Sequence, residues 1–181
     1  MGVFCVNSGT IKVFRVGLDG KEQIIKVSAR GDLLGYKALI SEHHYRHSAE
    51  ALEDCIVCFV PKDDFLSLID GNSVFYMDLL KAVCNEHSEI TERITQMAQR
   101  SVRQRLALTL LMLKDTYGIE HDVKGEIEIN LSREDLSNIV GTATESLIRL
   151  LNEFKKENLI ATKGRKIKVL DPQTLALAAQ R

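Results

Sequence analysis

Cysteine, net charge and long apolar runs are all scarce in this chain of 181 residues. The four cysteines are too few and too scattered to form a disulfide framework, and reduced thiols suit a cytoplasmic protein. No stretch approaches the roughly 18 apolar residues that a membrane-spanning helix requires. The first residues, Met1–Cys5, carry no basic segment leading into a long apolar run, so we expect neither a signal peptide nor a location outside the cytoplasm.

The net charge of −1 conceals a local excess of positive charge. Between residues 143 and 168, seven basic side chains stand against three acidic ones. A basic segment in a nearly neutral chain is typical of nucleic-acid-binding proteins. Such a run is more often only a solvated surface, because charged side chains usually stay exposed. The charge pattern therefore needs support from the rest of the chain.

The first 70 residues have the pattern of short antiparallel strands. Apolar and β-branched residues alternate with turn signals, and the pair Asp19-Gly20 is typical of a hairpin turn. The predicted strands are Val3–Val6, Ile11–Val16, Glu22–Val27, Ser48–Leu52 and Cys55–Val60. Many short strands separated by turns favour a small antiparallel barrel or roll.

A helical period begins near Ser73. Apolar and small residues recur with alternating spacings of four and three, without glycine or proline between them, at Tyr76, Leu80, Val83, His87, Ile90, Ile94, Met97 and Ser101. A seam of this kind predicts a long helix that pairs with a second copy of itself, with His87 setting the register. The alternative is that the seam packs on the chain's own roll, since a seam indicates burial but not the partner.

The C-terminal third predicts two short helices around a glycine turn, followed by a hairpin. A helix over 101–114 ends at Tyr117-Gly118, a strand follows at Glu126–Leu131, and a capping sequence at Ser132–Asp135 starts the first short helix. Gly141 supplies the turn, and a second helix runs from Thr142 to about Glu157. Strands then follow at Leu159–Lys163 and Lys166–Leu170. This order predicts a helix-turn-helix with a basic wing.

The second short helix is predicted to present polar residues outward: Thr144, Glu145, Ile148, Arg149 and Asn152 lie on that face. Glutamate can accept a hydrogen bond from cytosine N4, and arginine can bond guanine O6 and N7 together. The alternative is structural. Glu145 can close a capping box with Thr142, and it can form an ordinary ion pair with Arg149 one turn later.

From about Val3 onward the sequence resembles the Crp–Fnr family, the regulators related to the cyclic-AMP receptor protein and the fumarate-nitrate regulator, and most closely the fumarate-nitrate branch. The matching stretches are Asn7–Lys12, Arg30–Tyr36, Ser48–Glu53, Cys55–Pro61, Leu131–Leu136, Gly141–Arg149 and the Lys163-Gly164 wing. The most specific is Gly141–Arg149, because the family's reading helix carries glutamate and arginine in this order and spacing.

The resemblance implies an α+β protein with three parts. They are an antiparallel, cyclic-nucleotide-binding-like β-roll over residues 1–72, a dimerisation helix over 73–100 and a winged helix-turn-helix over 101–181. It implies a homodimeric regulator of transcription that binds double-stranded DNA, and a contact with RNA polymerase through loop 118–126. The implied base-reading residues are Glu145, Arg149, Ile148 and Thr144. The expected phosphate contacts are Ser132, Arg133, Ser146, Lys163, Arg165 and Lys166.

Three departures from the family pattern limit what is carried over. The family's roll begins with a helix and further strands that would precede Met1, so we expect a truncated roll with exposed edges. The N-terminal cysteine cluster of the oxygen-sensing members is absent, and Cys58 alone cannot hold an iron–sulfur cluster, which needs four ligands. His47 stands where cyclic-nucleotide members place an arginine, and Arg46, one position earlier, is expected to face the other side of the strand.

We therefore expect neither cyclic AMP nor an iron–sulfur cluster as the effector, and we leave the effector unidentified. Its pocket is expected at Asp32, Leu33, Gly35, Tyr36, His47 and Ser48. Cys55 and Cys58 are interpreted as small core residues, and no metal site is expected from His43, His44 and His47. A β-roll that binds a metabolite and acts through a protein partner is the alternative function. No catalytic pairing favours an enzyme.

Overall fold

The computed structural model describes residues 1–120 and 127–180, and the side chains of all of these except 119 and 120. Residues up to Pro61 form two three-stranded antiparallel sheets, with strand orders β4-β1-β6 and β3-β2-β5. Their strands are β1 (Gly2–Ser8), β2 (Ile11–Val16), β3 (Glu22–Ser28), β4 (Leu33–Leu34), β5 (Ser48–Ala51) and β6 (Ile56–Pro61). The hairpin predicted at Asp19-Gly20 is confirmed, because β2 and β3 pair from Ile11↔Ser28 to Val16↔Glu22.

Two helices interrupt this region, although the sequence pattern predicted only strands there. Helix α1 (Tyr36–Ile40) begins after Gly35, whose φ of +86° favours glycine. Helix α2 (Lys62–Gly71) begins after Pro61, and Asp63 in its first turn suits the positive end of the helix dipole. Both helices were missed because they are short and their apolar residues serve a local core rather than a long periodic face.

The strand β6 leaves large apolar side chains in solvent. Ile56 is 62% exposed and Phe59 is 50% exposed. Among the aromatic pairs of the described residues, Phe59 appears in one. Its ring lies 5.0 Å, centroid to centroid, from that of Phe4 on the same sheet. These side chains make the β4-β1-β6 sheet apolar and exposed along β6 in the single chain.

The predicted long helix is present as α3 (Ser73–Gln99). Asn72 caps its N-terminus by accepting a hydrogen bond from the Phe75 N–H at 3.0 Å. The seam position Ser101 lies outside this helix, contrary to the prediction. Its side chain accepts from the Gln104 N–H while Gln104 accepts from the Ser101 N–H, a reciprocal cap that starts the next helix.

That next helix, α4 (Val102–Glu120), is longer than predicted. Tyr117-Gly118 was expected to end it, yet both residues lie inside it. The Tyr117 ring is 1% exposed, and its hydroxyl donates to the Asn130 carbonyl at 3.0 Å. Tertiary packing of this side chain outweighs the modest cost of a glycine within a helix.

The C-terminal part is a winged helix-turn-helix, as predicted. Its elements are β7 (Glu128–Asn130), α5 (Arg133–Val140), α6 (Thr144–Lys156), β8 (Ile160–Lys163), β9 (Lys166–Val169) and α7 (Pro172–Ala178). The strand order is β7-β9-β8. Leu136, Leu147 and Phe154 have no exposed surface. The final helix α7, which starts at a proline after the cap Asp171, was not predicted. Within the described part of the chain, no helix is long and apolar enough to cross a membrane.

Candidate nucleic-acid interface

Helix α6 separates its residues into a buried and a solvent face. Leu147, Leu150, Leu151 and Phe154 are buried at helical spacing. On the other face Glu145, Ile148 and Arg149 are exposed, and Ile148 keeps 43% of its surface in solvent. An apolar residue this exposed on an otherwise polar face has no packing role in the single chain. The face of α6 that carries Glu145, Ile148 and Arg149 is therefore free to contact another molecule.

The angle at which α6 leaves the turn is set by hydrogen bonds. Gly141 has a φ of +70° and ends α5 by donating to the Ser137 carbonyl at 2.9 Å. Arg105 of α4 donates to the carbonyls of Val140 at 3.0 Å and Gly141 at 3.1 Å. Sequence patterns gave no signal for Arg105, because its partners lie 35 and 36 positions away. It clamps the turn that aims the reading face.

Thr144, which is predicted to read bases, makes a contact within the chain. Its hydroxyl lies 3.1 Å from the Ser137 hydroxyl, across the turn between the two helices. The capping box proposed for Thr142 and Glu145 is wrong, because the cap residue of α6 is Ala143 and no side chain caps that end. Glu145 lies in the first turn, where its charge suits the helix dipole.

Glu145 and Arg149 do not neutralise each other. Among the ion pairs of the described residues, Arg149 approaches Glu153, with Nη1 3.7 Å from Oε1, and Glu145 appears in none. Glu153 also accepts from Arg103 at 3.1 Å. The Arg149 side chain is 73% exposed, so its ion pair is weak in water. The Glu145 carboxylate, which accepts hydrogen bonds, and the Arg149 guanidinium, which donates them, thus both remain available on one face of α6.

The residues predicted to contact phosphates stand at the start of α5 and on the wing. Ser132 caps α5, and its hydroxyl lies 2.5 Å from the Asp135 carboxylate. Arg133 donates to the wing carbonyls of Gly164 at 2.9 Å and Arg165 at 3.3 Å, so it ties the wing to α5. Burial lowers the pKa of the Arg133 guanidinium from its usual value. Ser146 is half-buried on α6.

The wing presents exposed cations. Lys163, Arg165 and Lys166 surround Gly164, whose φ of +59° makes the tight turn. Lys166 pairs with Glu128 at 2.5 Å, and its hydrogen bond lowers the pKa of that carboxylate. Lys166 is therefore partly neutralised by β7. Residues 121–126 of the predicted polymerase loop lie outside the described residues.

The predicted effector pocket corresponds to a cavity of about 540 Å³ between the roll and α3. Five of the six predicted residues line it: Leu33, Gly35, Tyr36, His47 and Ser48. Asp32 is not among the lining residues; it accepts from the Ala29 N–H and from Lys26. The expectation that Arg46 faces away is wrong. Strand β5 begins only at Ser48, so alternation does not apply, and Arg46 lines the cavity beside His47.

The cysteine interpretation is also corrected. Cys58 is exposed on β6, and Cys55 is half-buried just before that strand, so neither is a buried core residue. The interpretation of both as small core residues is wrong because this sheet has an exposed face. In residues 1–120 and 127–180, no group of three or more His, Cys, Asp or Glu is arranged to hold a metal ion.

Two family models match the chain. Residues 1–72 match the cyclic nucleotide-binding domain, and residues 104–178 match the Crp-like helix-turn-helix domain. Electron transport regulator A of Shewanella oneidensis is 29% identical over 177 residues, which cover 98% of this chain and 70% of that protein. The fumarate and nitrate reduction regulatory protein of Vibrio cholerae is 28% identical over 169 residues, 93% of this chain and 67% of that protein.

Solved structures share the fold. FixK2 from Bradyrhizobium japonicum matches with a TM-score of 0.83 at 22% identity, covering 97% of this chain and 86% of that one. A CRP/FNR family transcriptional regulator from Thermus thermophilus matches with a TM-score of 0.81 at 22% identity, covering 100% of this chain and 89% of that one.

A β-roll, a long helix and a winged helix-turn-helix with an open polar face define a DNA-binding transcription regulator rather than an enzyme. The chain belongs to the Crp/Fnr family. The two matched domains together cover about four fifths of its length.

Proposed function

We propose that two copies of this chain assemble through α3 and bind a palindromic DNA site with TGA in one half and TCA in its mate. The observation that carries the proposal is the open pair Glu145 and Arg149, exposed on α6 and not paired with each other. The resemblance to the fumarate-nitrate branch implies that the matching residues read a G·C pair in a TGA core. Glutamate accepting from cytosine N4 and arginine donating to guanine supply that chemistry.

The exposed apolar seam of α3 supports the proposed dimer. Its seam residues are exposed: Tyr76 49%, Leu80 43%, Ile90 39%, Ile94 64% and Met97 44%. His87 is exposed beside them, and only Val83 is partly buried in the chain's own core. The chain's own fold is contacted mainly through the neighbouring positions Leu79, Glu86 and Arg93, although Ile90 also lines the cavity beside the roll. An apolar heptad seam along a 27-residue helix favours a second copy of the same helix as its cover.

The outer base of each half-site is assigned to Ile148. The fumarate-nitrate branch has a serine at this position, and an apolar side chain favours contact with a thymine methyl group over a hydrogen-bonding base edge. The site is therefore expected to share the TGA core of that branch and to differ in the base beside it. Thr144 would contribute after its hydroxyl turns away from Ser137, from which it is 3.1 Å.

In this proposal residues 1–72 sense, residues 73–100 dimerise and residues 101–181 bind DNA in the cytoplasm. A gel-shift titration with a TGA palindrome and a scrambled duplex, at two salt concentrations, tests it. We expect tighter binding to the palindrome, and weaker binding to both at higher salt because phosphate contacts release counterions. A roll that acts only through a protein partner would shift neither duplex. RNA polymerase contact through loop 118–126 stays a prediction.

Two wing lysines are expected to differ in their effect on nonspecific binding. Lys163→Ala should weaken all duplexes about equally and lower the salt slope by about 1, as the loss of one phosphate contact does. Lys166→Ala should lower it less, because Glu128 already holds that ammonium at 2.5 Å. The salt dependence of binding to a scrambled duplex measures both. A loss confined to the TGA site would contradict the assignment of Lys163 to phosphate.

The cavity between the roll and α3 is proposed as the effector site, and we expect it not to bind cyclic AMP at micromolar concentration. His47 stands at the family's phosphate position. Desolvation, and then the charges of Lys37 and Arg15, lower the pKa of His47 and so favour the neutral ring. A neutral ring cannot replace a bidentate guanidinium. Arg46 lines the cavity but is exposed. Titration calorimetry decides, and saturating heat at micromolar ligand would contradict this expectation.

An iron–sulfur cluster is likewise not expected. Cys5 and Cys58 face each other across β1 and β6, but Cys55 is committed to hydrogen bonds with the carbonyls of Thr10 and Glu53. Four thiolates are normally required. Anaerobic reconstitution should leave the visible spectrum without a charge-transfer band.

A further inference from the structure

The roll packs directly against the first helix of the helix-turn-helix. Phe14 of β2 and Ile24 and Val27 of β3 belong to the same buried cluster as the residues of α5 and α6. Side-chain hydrogen bonds to backbone carbonyls reinforce this junction: the Gln23 amide donates to the Asn138 carbonyl at 2.7 Å, and the Arg93 guanidinium of α3 donates to the carbonyls of Ile25 and Ile139. The roll, the long helix and α5 therefore meet at one place.

A lysine is buried in the middle of this junction. Lys12 of β2 is 5% exposed, and its Nζ lies 3.0 Å from Oδ1 of Asp135 on α5. The same ammonium lies 2.8 Å from Glu22 and 3.3 Å from Glu50, both on the roll. Burial opposes the charge, but the hydrogen bonds to Glu22 and Asp135 prevail and raise the pKa of Lys12, so it stays protonated.

Hydrogen bonds connect this ion pair to the N-terminus of α5, where the proposed phosphate contacts lie. Asp135 is 9% exposed, its second oxygen lies 2.5 Å from the Ser132 hydroxyl, and its N–H donates to that hydroxyl at 2.9 Å. Ser132 caps α5, and Arg133 beside it holds the wing. Lys12 is thus joined through two residues to the end of α5 that carries the proposed phosphate contacts. A buried ion pair is a poor source of stability but can fix one arrangement among several.

We propose that Lys12 is a positioning residue, whose ion pair with Asp135 holds the helix-turn-helix at one angle to the roll and so sets the half-site spacing that the dimer accepts. This inference rests on the proposed binding of a palindrome by a dimer. The reading helices of such a dimer must meet half-sites about one DNA turn apart, ~34 Å. Apolar contacts allow sliding, and the hydrogen bonds of Gln23 and Arg93 reach only the C-terminal end of α5, whereas the Lys12–Asp135 pair holds its first turn. Loss of the pair should let each helix-turn-helix swing, so that neighbouring spacings become acceptable.

The test is a spacer profile. Binding is measured for palindromes whose half-sites are separated by the best spacing and by one base pair more or less, using the full chain and its Lys12→Met and Asp135→Asn variants. The unaltered chain should prefer one spacing. Both variants should reduce that preference by roughly 10-fold, within the range of about 5- to 150-fold typical of coupling between sites. Binding to a single half-site should change less than twofold, which also reports that the helix-turn-helix is folded.

Glu22→Gln is the matched control. It removes a partner of the same ammonium at 2.8 Å but leaves the link to Asp135, so the spacer profile should be kept. The double variant Lys12→Met/Asp135→Asn should resemble either single variant, because each single variant already removes the same ion pair. If the variants still bind a single half-site and still prefer one spacing, the role of Lys12 is overturned but the proposed palindrome is not. A flat profile in the unaltered chain overturns the proposed palindrome itself. If Lys12→Met does not fold, Asp135→Asn gives the same decision.

Discussion

Replacing Arg149 with alanine should weaken binding to the TGA palindrome by about 1–3 kcal/mol per half-site and relax the preference for guanine. The guanidinium is 73% exposed and its one described ion pair, with Glu153, is 3.7 Å long, so little has to be broken for it to reach a base. Loss of the fork removes a bidentate contact with guanine O6 and N7. Gel-shift titration with TGA duplexes and with duplexes altered at the guanine measures both effects.

Lys155→Ala is the control for this prediction. Lys155 is exposed in the last turn of the same helix, so the variant removes one positive charge from α6 at the end away from the turn. It should weaken the TGA and the altered duplexes alike, if it weakens them at all. If Arg149→Ala also reduced binding to both duplexes equally, Arg149 would be only a surface cation, and the base-reading assignment would have to be abandoned.

Ile90→Glu and Ile94→Glu should each convert the dimer to monomers with weak DNA binding. Ile90 is 39% exposed and Ile94 is 64% exposed in the single chain, and both lie on the seam that the second copy would cover. Two-fold symmetry brings each new carboxylate close to its mate in a desolvated interface, where unpaired charge is costly. Sedimentation velocity measures the mass, and a palindrome titration measures the accompanying loss of binding.

Ser88→Glu places the same charge on the same helix, but on the side away from the seam. Ser88 is exposed, and its hydroxyl donates to the Cys84 carbonyl one turn earlier at 3.1 Å. This variant should remain dimeric and bind normally. If the Ile90 and Ile94 variants sedimented as dimers like Ser88→Glu, the seam would not be the dimer interface.

Local patterns predicted the part of the molecule where local chemistry decides the structure. Gly141 requires a positive φ, Ser132 is a good cap, and the apolar residues of α6 recur at helical spacing. These features are enough to predict the helix-turn-helix and its open face from the sequence. The same reasoning failed at Tyr117-Gly118, because burial of the tyrosine against β7 overrides the local break.

Long-range contacts could not be predicted. Lys12 and Asp135 are separated by 123 positions, and nothing in either local sequence indicates a buried ion pair. Arg105 likewise clamps a turn that lies far along the chain. At Arg46 a strand rule was extended two positions before the strand begins, which reversed the predicted direction of a side chain. Pairing across the fold, rather than periodicity along it, decides these positions.

Selection of bound sites from a pool of random duplexes tests the central claim most directly, because it presupposes neither a sequence nor a symmetry. We expect an enriched two-fold palindrome with TGA in one half and TCA in the other, and with the half-sites about one DNA turn apart. Enrichment of a single unrepeated motif, of a palindrome without TGA, or of no sequence at all would contradict it.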